Sequence, residues 1–312
     1  MSKVKYFFSG TIGATAEVEE KLARGFTYRL CSCHDHYIKE AKRWAELCGL
    51  EGGSVKEIML DSGAFTAWSK GKKVELQDLI ATYQDVMKLI PSHIQIWLIN
   101  LDVIPGSPGV TAGEEEITQA IKTSDENFKV LTKEFGNIVL PVFHQNESEA
   151  RMFEVSDMAD YICVSPRNDL PEKSRLAWSN YVHRKLPGKK THGLAATGEN
   201  MLRQVPWYSV DSASWLYAAV MGKIKFLHNG KLMEMATSNE NPNRYEMGSH
   251  ITTIPKHMVE VIAERAALHG LTIEQLQYEH MARRMMTGLE IVEWLKVLPE
   301  PNSLYQDSLF DL

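Results

Sequence analysis

Eight short β-rich runs, at 4–8, 28–33, 58–60, 94–101, 138–143, 161–164, 191–195 and 207–210, recur along this chain with helix-compatible stretches between them. Parallel strands need a long crossover, and a helix supplies it, so strands alternating with helical segments predict βαβ units and a parallel sheet. Eight in succession predict closure: an α/β fold, specifically a (β/α)8 TIM-type barrel, rather than an open doubly wound sheet. The connecting segments agree, since 76–89 and 114–135 carry apolar residues at steps of three and four, as helices covering a barrel must. At 312 residues and 44% hydrophobic content the chain has ample material for such a core.

The last sixty residues read differently. From 255 to 298 the pattern is helical, broken near Gly270, with Thr272 followed by Glu274 and Gln275 as a new helix start. A polar, turn-rich stretch at 239–243 precedes them. The expected division is therefore 1–238 as the barrel, the catalytic domain, and 239–312 as a mostly helical C-terminal extension packed on it.

The formal net charge of -6 gives no global signature of nucleic-acid binding, so any such contact must be local. Four cysteines and the lack of a long apolar amino-terminal segment fit a reduced cytoplasm. Apolar runs are far shorter than the roughly 20 residues that span a bilayer, so no membrane is expected.

Carboxylates at strand ends carry the functional signal. Asp61 precedes Ser62, Gly63, Ala64 and Phe65; Asp211 follows Ser209-Val210 and precedes small residues; Asp102 follows a near-continuous apolar run ending at Leu101. Side chains at the carboxyl ends of barrel strands line the functional face, so acids distant in sequence converge there, where a pair can divide nucleophilic and acid/base work. Ser62 and Gly63 let backbone approach a ligand, and Phe65 offers a flat face; the alternative is that Asp61 caps the next helix and Phe65 enters the core. His144 and Gln145 end another run; Gln145 has the donor and acceptor to read a purine edge, and His144 is either a core histidine or a site residue.

The stretch from His192 to Glu199 holds Gly193 and Gly198 but matches neither G-x-G-x-x-G nor a Walker A spacing, so a triphosphate site is not expected. His192, Gly193 and Ser165 are read instead as small or polar groups beside a flat substrate. Cys31, Cys33, His34 and His36 include zinc's preferred ligand types, but neighbours on a strand point to opposite sides and no C-x2-C pair exists, so no metal is assigned. Positive charge gathers at Lys70, Lys72 and Lys73 and at Arg184 and Lys185, with Arg283 and Arg284 near the carboxyl end. These either track a phosphate backbone or are solvated helix faces.

With these residues assembled, the chain resembles the tRNA-guanine transglycosylase superfamily, and most closely its phage and bacterial branch of 7-deazaguanine DNA transglycosylases. The likeness spans most of the barrel. Asp61-Ser62-Gly63-Ala64-Phe65 is similar to the family's D-S-G-G-[FY] element, with Ala64 in place of a glycine. The resemblance implies a general acid/base or base ligand at Asp61, a stacking ring at Phe65, a second base-reading acid at Asp102 and a purine contact at Gln145 or His144. It implies the covalent nucleophile at Asp211. Counting strands puts Gly193-Leu194-Ala195 on the seventh and Val164-Ser165-Pro166 on the sixth, where the family has its glycine motif. No cysteine follows Cys163, so the cysteine-rich zinc site of the tRNA-acting enzymes has no counterpart here.

The implied activity is exchange of guanine in DNA for a 7-deazaguanine, such as 7-cyano-7-deazaguanine. The implied partners are DNA and the free base, and no cofactor is required. A tRNA substrate, a barrel hydrolase that releases base or sugar, and a catalytically silent binding module are the alternatives.

Overall fold

The computed structural model describes residues 4–301 apart from 11, 12, 14, 107–109, 111 and 300; the expected extension therefore continues at 302–312 outside the described residues. Nine parallel strands form the barrel: β1 (Lys5–Phe8), β2 (Tyr28–Ser32), β3 (Glu57–Asp61), β4 (Gln95–Ile99), β5 (Val139–Leu140), β6 (Val142–His144), β7 (Tyr161–Ser165), β8 (Lys190–Gly193) and β9 (Ser209–Ser212). Between and after them run α1 (Ala16–Gly25), α2 (Ile38–Leu47), α3 (Ala64–Ser69), α4 (Leu76–Met87), α5 (Glu114–Phe135), α6 (Glu149–Met158), α7 (Glu172–Lys185), α8 (Glu199–Gln204) and α9 (Ser214–Val220).

Each of the eight expected runs coincides with a stave of the barrel. The fifth is split because Pro141, with no N–H to donate, interrupts it: β5 pairs with β4 and β6 pairs with β7. The Pro141 carbonyl still accepts from the Cys163 N–H at 2.8 Å, so β5 and β6 act as one stave and the ring closes.

Both strand faces are buried, which is why the runs read as apolar throughout. Phe7, Leu30, Met59, Ile99, Leu140, Tyr161 and Cys163 pack inside the barrel, while their neighbours Tyr6 and Phe8 face the helices. Phe8 stacks on Phe26 at 3.8 Å between ring centroids and meets Trp215 edge-on.

A two-stranded antiparallel hairpin, β10 (Lys223–His228) and β11 (Lys231–Ala236), follows α9. It lies outside the eight runs above, although its turn, Asn229-Gly230, has positive φ at both residues and is the strongest short-range hairpin signal a sequence offers. Three helices follow: α10 (Lys256–Leu268), α11 (Ile273–Tyr278) and α12 (His280–Val297). Gly270 makes the expected break, and Thr272 and Gln275 form a capping box at the expected start.

Helix α12 packs across α1, α9 and β10. Its fully buried Glu290 accepts from Arg265, His269 and the Leu227 N–H, tying α10 and the hairpin to the barrel. Among the described residues, no helix is long and apolar enough to cross a membrane.

Candidate active site

A cavity of about 580 Å³ opens at the carboxyl ends of the strands, large enough for a nucleoside-sized ligand. Asp61, Phe65, Asp102, His144, Ser165 and Asp211 all line it, so residues from five staves and one helix meet at one mouth.

Asp61 ends β3. Its Oδ2 accepts from the Gly63 N–H at 3.0 Å, across a turn that only glycine suits: Gly63 has φ +78°, and a Cβ there would lie 2.3 Å from the Cβ of His34. Burial, then the charges of Asp211 and Asp102, push the Asp61 carboxyl up to about 7, while the Gly63 N–H pulls it down. Asp61 does not cap α3, whose N-cap is Gly63. Ser62 is fully buried beneath this turn. Phe65, in the first turn of α3, is 55% exposed and leaves one face open, with its neighbour Trp68 anchored to the Gly106 carbonyl at 2.9 Å.

Asp102 is held by a segment stapled to α5: Asn100 donates to the Ser124 carbonyl, the Val103 N–H to Ser124 Oγ, and Asn127 to the Leu101 carbonyl. Its Oδ2 lies 2.8 Å from His144 Nε2. Burial alone would lower the His144 pKa, but the Asp102 hydrogen bond and charge outweigh it and leave it raised. His144 thus belongs to the cavity wall as half of an acid–imidazole pair.

Asp211 stands on β9 opposite Phe7. Its Oδ1 accepts from the Ala195 N–H at 3.2 Å, and Ala195 has φ +50°, a left-handed backbone that a non-glycine residue adopts only under constraint. Ser212 and Ser214, the hydroxyls that follow Asp211 in the chain, bond elsewhere: Ser212 Oγ accepts from the Ser214 N–H, and Ser214 Oγ meets Thr197.

Five expected ligand contacts do not line the cavity: Ser62 and Gly63, both buried in the turn after Asp61, and Gln145, His192 and Gly193. Gln145 Oε1 accepts from the Arg167 N–H at 2.9 Å and does not line the cavity. His192 is fully buried behind Asp211. A Cβ at Gly193 would lie 2.8 Å from Ala196 and 3.1 Å from Trp207, so this glycine serves packing behind the wall.

The basic groups separate as well. Lys70, Lys72 and Lys73 are exposed after α3, with Lys72 3.6 Å from Asp35 and Lys70 over the ring of Tyr37, a cavity residue. Arg184 and Lys185 end α7, at the barrel end where strands begin, and Lys185 pairs with Glu149 at 2.9 Å. The two groups therefore stand at opposite ends of the barrel. Arg283 is buried and donates to the Leu276 carbonyl, whereas Arg284 lines the cavity.

Arg29, Tyr37, Glu40 and Tyr217, none of them at the end of an apolar run, also stand on the cavity wall. Arg29 had a signal, a cation inside the apolar run of β2. It bonds the Phe8 and Gly10 carbonyls and Glu40, and so braces the turn that walls one side.

Cys31 and Cys33 are buried, and burial pushes the Cys31 thiol up to about 12 and that of Cys33 well above its ordinary value. Among the described residues no group of three or more His, Cys, Asp or Glu is placed to hold a metal ion.

No family model matches this chain, and no curated protein matches it. Among solved structures, the carboxyl transferase domain of Rhizobium etli pyruvate carboxylase with 3-hydroxypyruvate is similar at 12% identity and TM-score 0.36, over 96% of this chain and 50% of that one. A second structure of that domain gives 13% identity and TM-score 0.35 over 97% and 50%. The chain spans about half the length of these structures, and a likeness of this degree bears on neither reaction nor substrate.

Proposed function

We propose that this chain is a base-exchange transglycosylase that replaces guanine in DNA with a 7-deazaguanine, 7-cyano-7-deazaguanine or a relative, through a covalent aspartyl-glycosyl intermediate. The observation that carries this reading is the meeting of Asp61, Asp102 and Asp211 in one cavity beside the open ring of Phe65, with Asp61 tuned to about 7. A carboxyl near 7 is poised to give and take a proton at neutral pH, which is the task of a general acid/base.

The target deoxyguanosine leaves the helical stack, at a cost of a few kcal/mol that base-edge contacts and stacking on Phe65 offset. An Asp211 oxygen then bonds to the sugar C1′ as the C1′–N9 bond breaks, and Asp61 protonates the departing guanine. The incoming deazaguanine gives its ring N–H proton to the Asp61 carboxylate. Its nitrogen then bonds C1′ and releases Asp211, a double displacement that retains configuration. Asp102, held by His144, faces the base edge.

The test is mass spectrometry of nucleosides from DNA incubated with the protein and 7-cyano-7-deazaguanine, with tRNA offered in parallel. The deoxynucleoside of the added base is expected in DNA. Incorporation into tRNA alone reassigns the substrate, and abasic sites formed without added base reassign the reaction to hydrolysis.

A further inference from the structure

The barrel interior below Asp211 holds a buried chain of polar side chains. His192 on β8 and Ser209 on β9 are fully buried, and Tyr161 on β7 is 4% exposed. Ser209 Oγ contacts both the Tyr161 hydroxyl and His192 Nδ1. On the other side of the ring, His192 Nε2 is buried without an aligned hydrogen-bond partner, and Asp211 Oδ1 is 3.3 Å away. Phe7 packs edge-on against the imidazole and fixes its plane. The proposed reaction uses none of these three side chains.

The proton positions follow from what each arrangement leaves unsatisfied. If Nδ1 carried the proton, it would donate to Ser209, Ser209 to Tyr161, and the tyrosine hydroxyl would be left a buried donor. The Nε2 lone pair would then face the Asp211 carboxylate, which is repulsive. In the reverse order Tyr161 donates to Ser209, Ser209 donates to Nδ1, and Nε2 presents its N–H to Asp211. Every group is then used and the one charge in reach is stabilised.

We infer that His192 is a positioning residue for Asp211: the Tyr161–Ser209 pair locks its Nε2–H tautomer, and that N–H, with the Ala195 N–H, holds Oδ1 so that Oδ2 faces the sugar. The inference rests on the reading of Asp211 as nucleophile. The N–H and carboxylate are close but not aligned in the free protein, and a small carboxylate rotation on substrate binding brings them into line, as catalytic hydrogen bonds commonly tighten in the complex.

Two measurements test it, and the first needs no substrate. Nitrogen–proton correlation spectra of histidine-labelled protein are expected to show a neutral His192 ring protonated at Nε2 and accepting at Nδ1, and the Ser209→Ala variant is expected to lose that single tautomer. A ring protonated at Nδ1 in the wild type overturns the inference whatever the reaction proves to be.

The second is kinetic, in the base-exchange assay. His192→Phe is expected to lower kcat about 10- to 100-fold with KM within about twofold, the size of effect seen when a group that orients an active residue is removed. His192→Gln, whose amide N–H reaches toward Asp211, is expected to recover most of the loss. An undiminished kcat in His192→Phe, or equal losses in the two variants at matched melting temperature, overturns the positioning role. Should the wild type exchange no base at all, the proposed reaction falls while the tautomer measurement still decides the geometry.

Discussion

The two ends of this barrel treat buried carboxylates in opposite ways. At the amino end Glu57 meets the Lys5 ammonium and the Trp97 indole N–H, and Lys5 also reaches the Tyr208 hydroxyl at 2.6 Å. Burial would lower the Lys5 pKa, but its Glu57 and Tyr208 partners leave it raised. At the carboxyl end Asp61, Asp102 and Asp211 share one cavity, and the charges of the other two help push Asp61 up. One end satisfies its charges and contributes stability. The other gathers like charges, which destabilises the fold locally and yields a carboxyl able to exchange protons near neutrality.

The sharpest break of this contrast is Asp211→Asn, expected to cut base exchange on the order of 10⁴-fold and abolish protein-linked DNA on denaturing gels, with urea stability preserved. Glu57→Gln is its mirror: stability lower by on the order of 3 kcal/mol in urea melts, because Lys5 is left without its anion, and turnover per folded molecule within about twofold of wild type.

Asp61→Asn sharpens the comparison through pH. A carboxyl raised from 3.8 to about 7 keeps its proton in the folded state where the unfolded chain has released it, so this group removes stability as pH rises across that window. The melting temperature of Asp61→Asn relative to wild type is therefore expected to climb from about pH 4 to about pH 7 and then level off. Exchange should fall on the order of 100-fold, and the wild-type decline in rate above about pH 7 should vanish in the variant. A melting-temperature difference that does not change with pH contradicts the perturbed carboxyl.

Phe65→Ala is expected to weaken DNA binding by about 1–3 kcal/mol through lost stacking while changing stability by less than about 0.5 kcal/mol, since the ring is already open to solvent. The smallest effect concerns surface charge. Lys70→Ala with Lys72→Ala should lower the salt slope of DNA binding by about one to two counterions, and Arg184→Ala with Lys185→Ala should leave it unchanged. Equal slopes in the two pairs place DNA elsewhere than the mouth.

The eight staves were legible because a strand buried on both faces must be apolar along its length, and a helix must separate it from its parallel neighbour. The acids were legible too, since Asp61, Asp102 and Asp211 each stand where an apolar run stops. The partners of these residues were not. Gln145 and His144 are adjacent in sequence, yet the end of β6 turns one toward Arg167 and the other toward Asp102. Arg184 and Lys70 look alike as charge clusters, and only the direction of their helices assigns them to different ends.

What the chain determined alone is periodicity: which segments are strands, which are helices, and which residue types occur at strand ends. What the tertiary structure decided is orientation across strands that are remote in sequence. The His192 imidazole sits behind Asp211 because β8 and β9 are neighbours in register, and the Asp61 carboxyl is raised because a closed ring brings three staves' charges into one poorly hydrated space. Local patterning sets the pleat and the helical turn, whereas hydrogen-bond partners and electrostatic coupling depend on distances that exist only once the ring has closed.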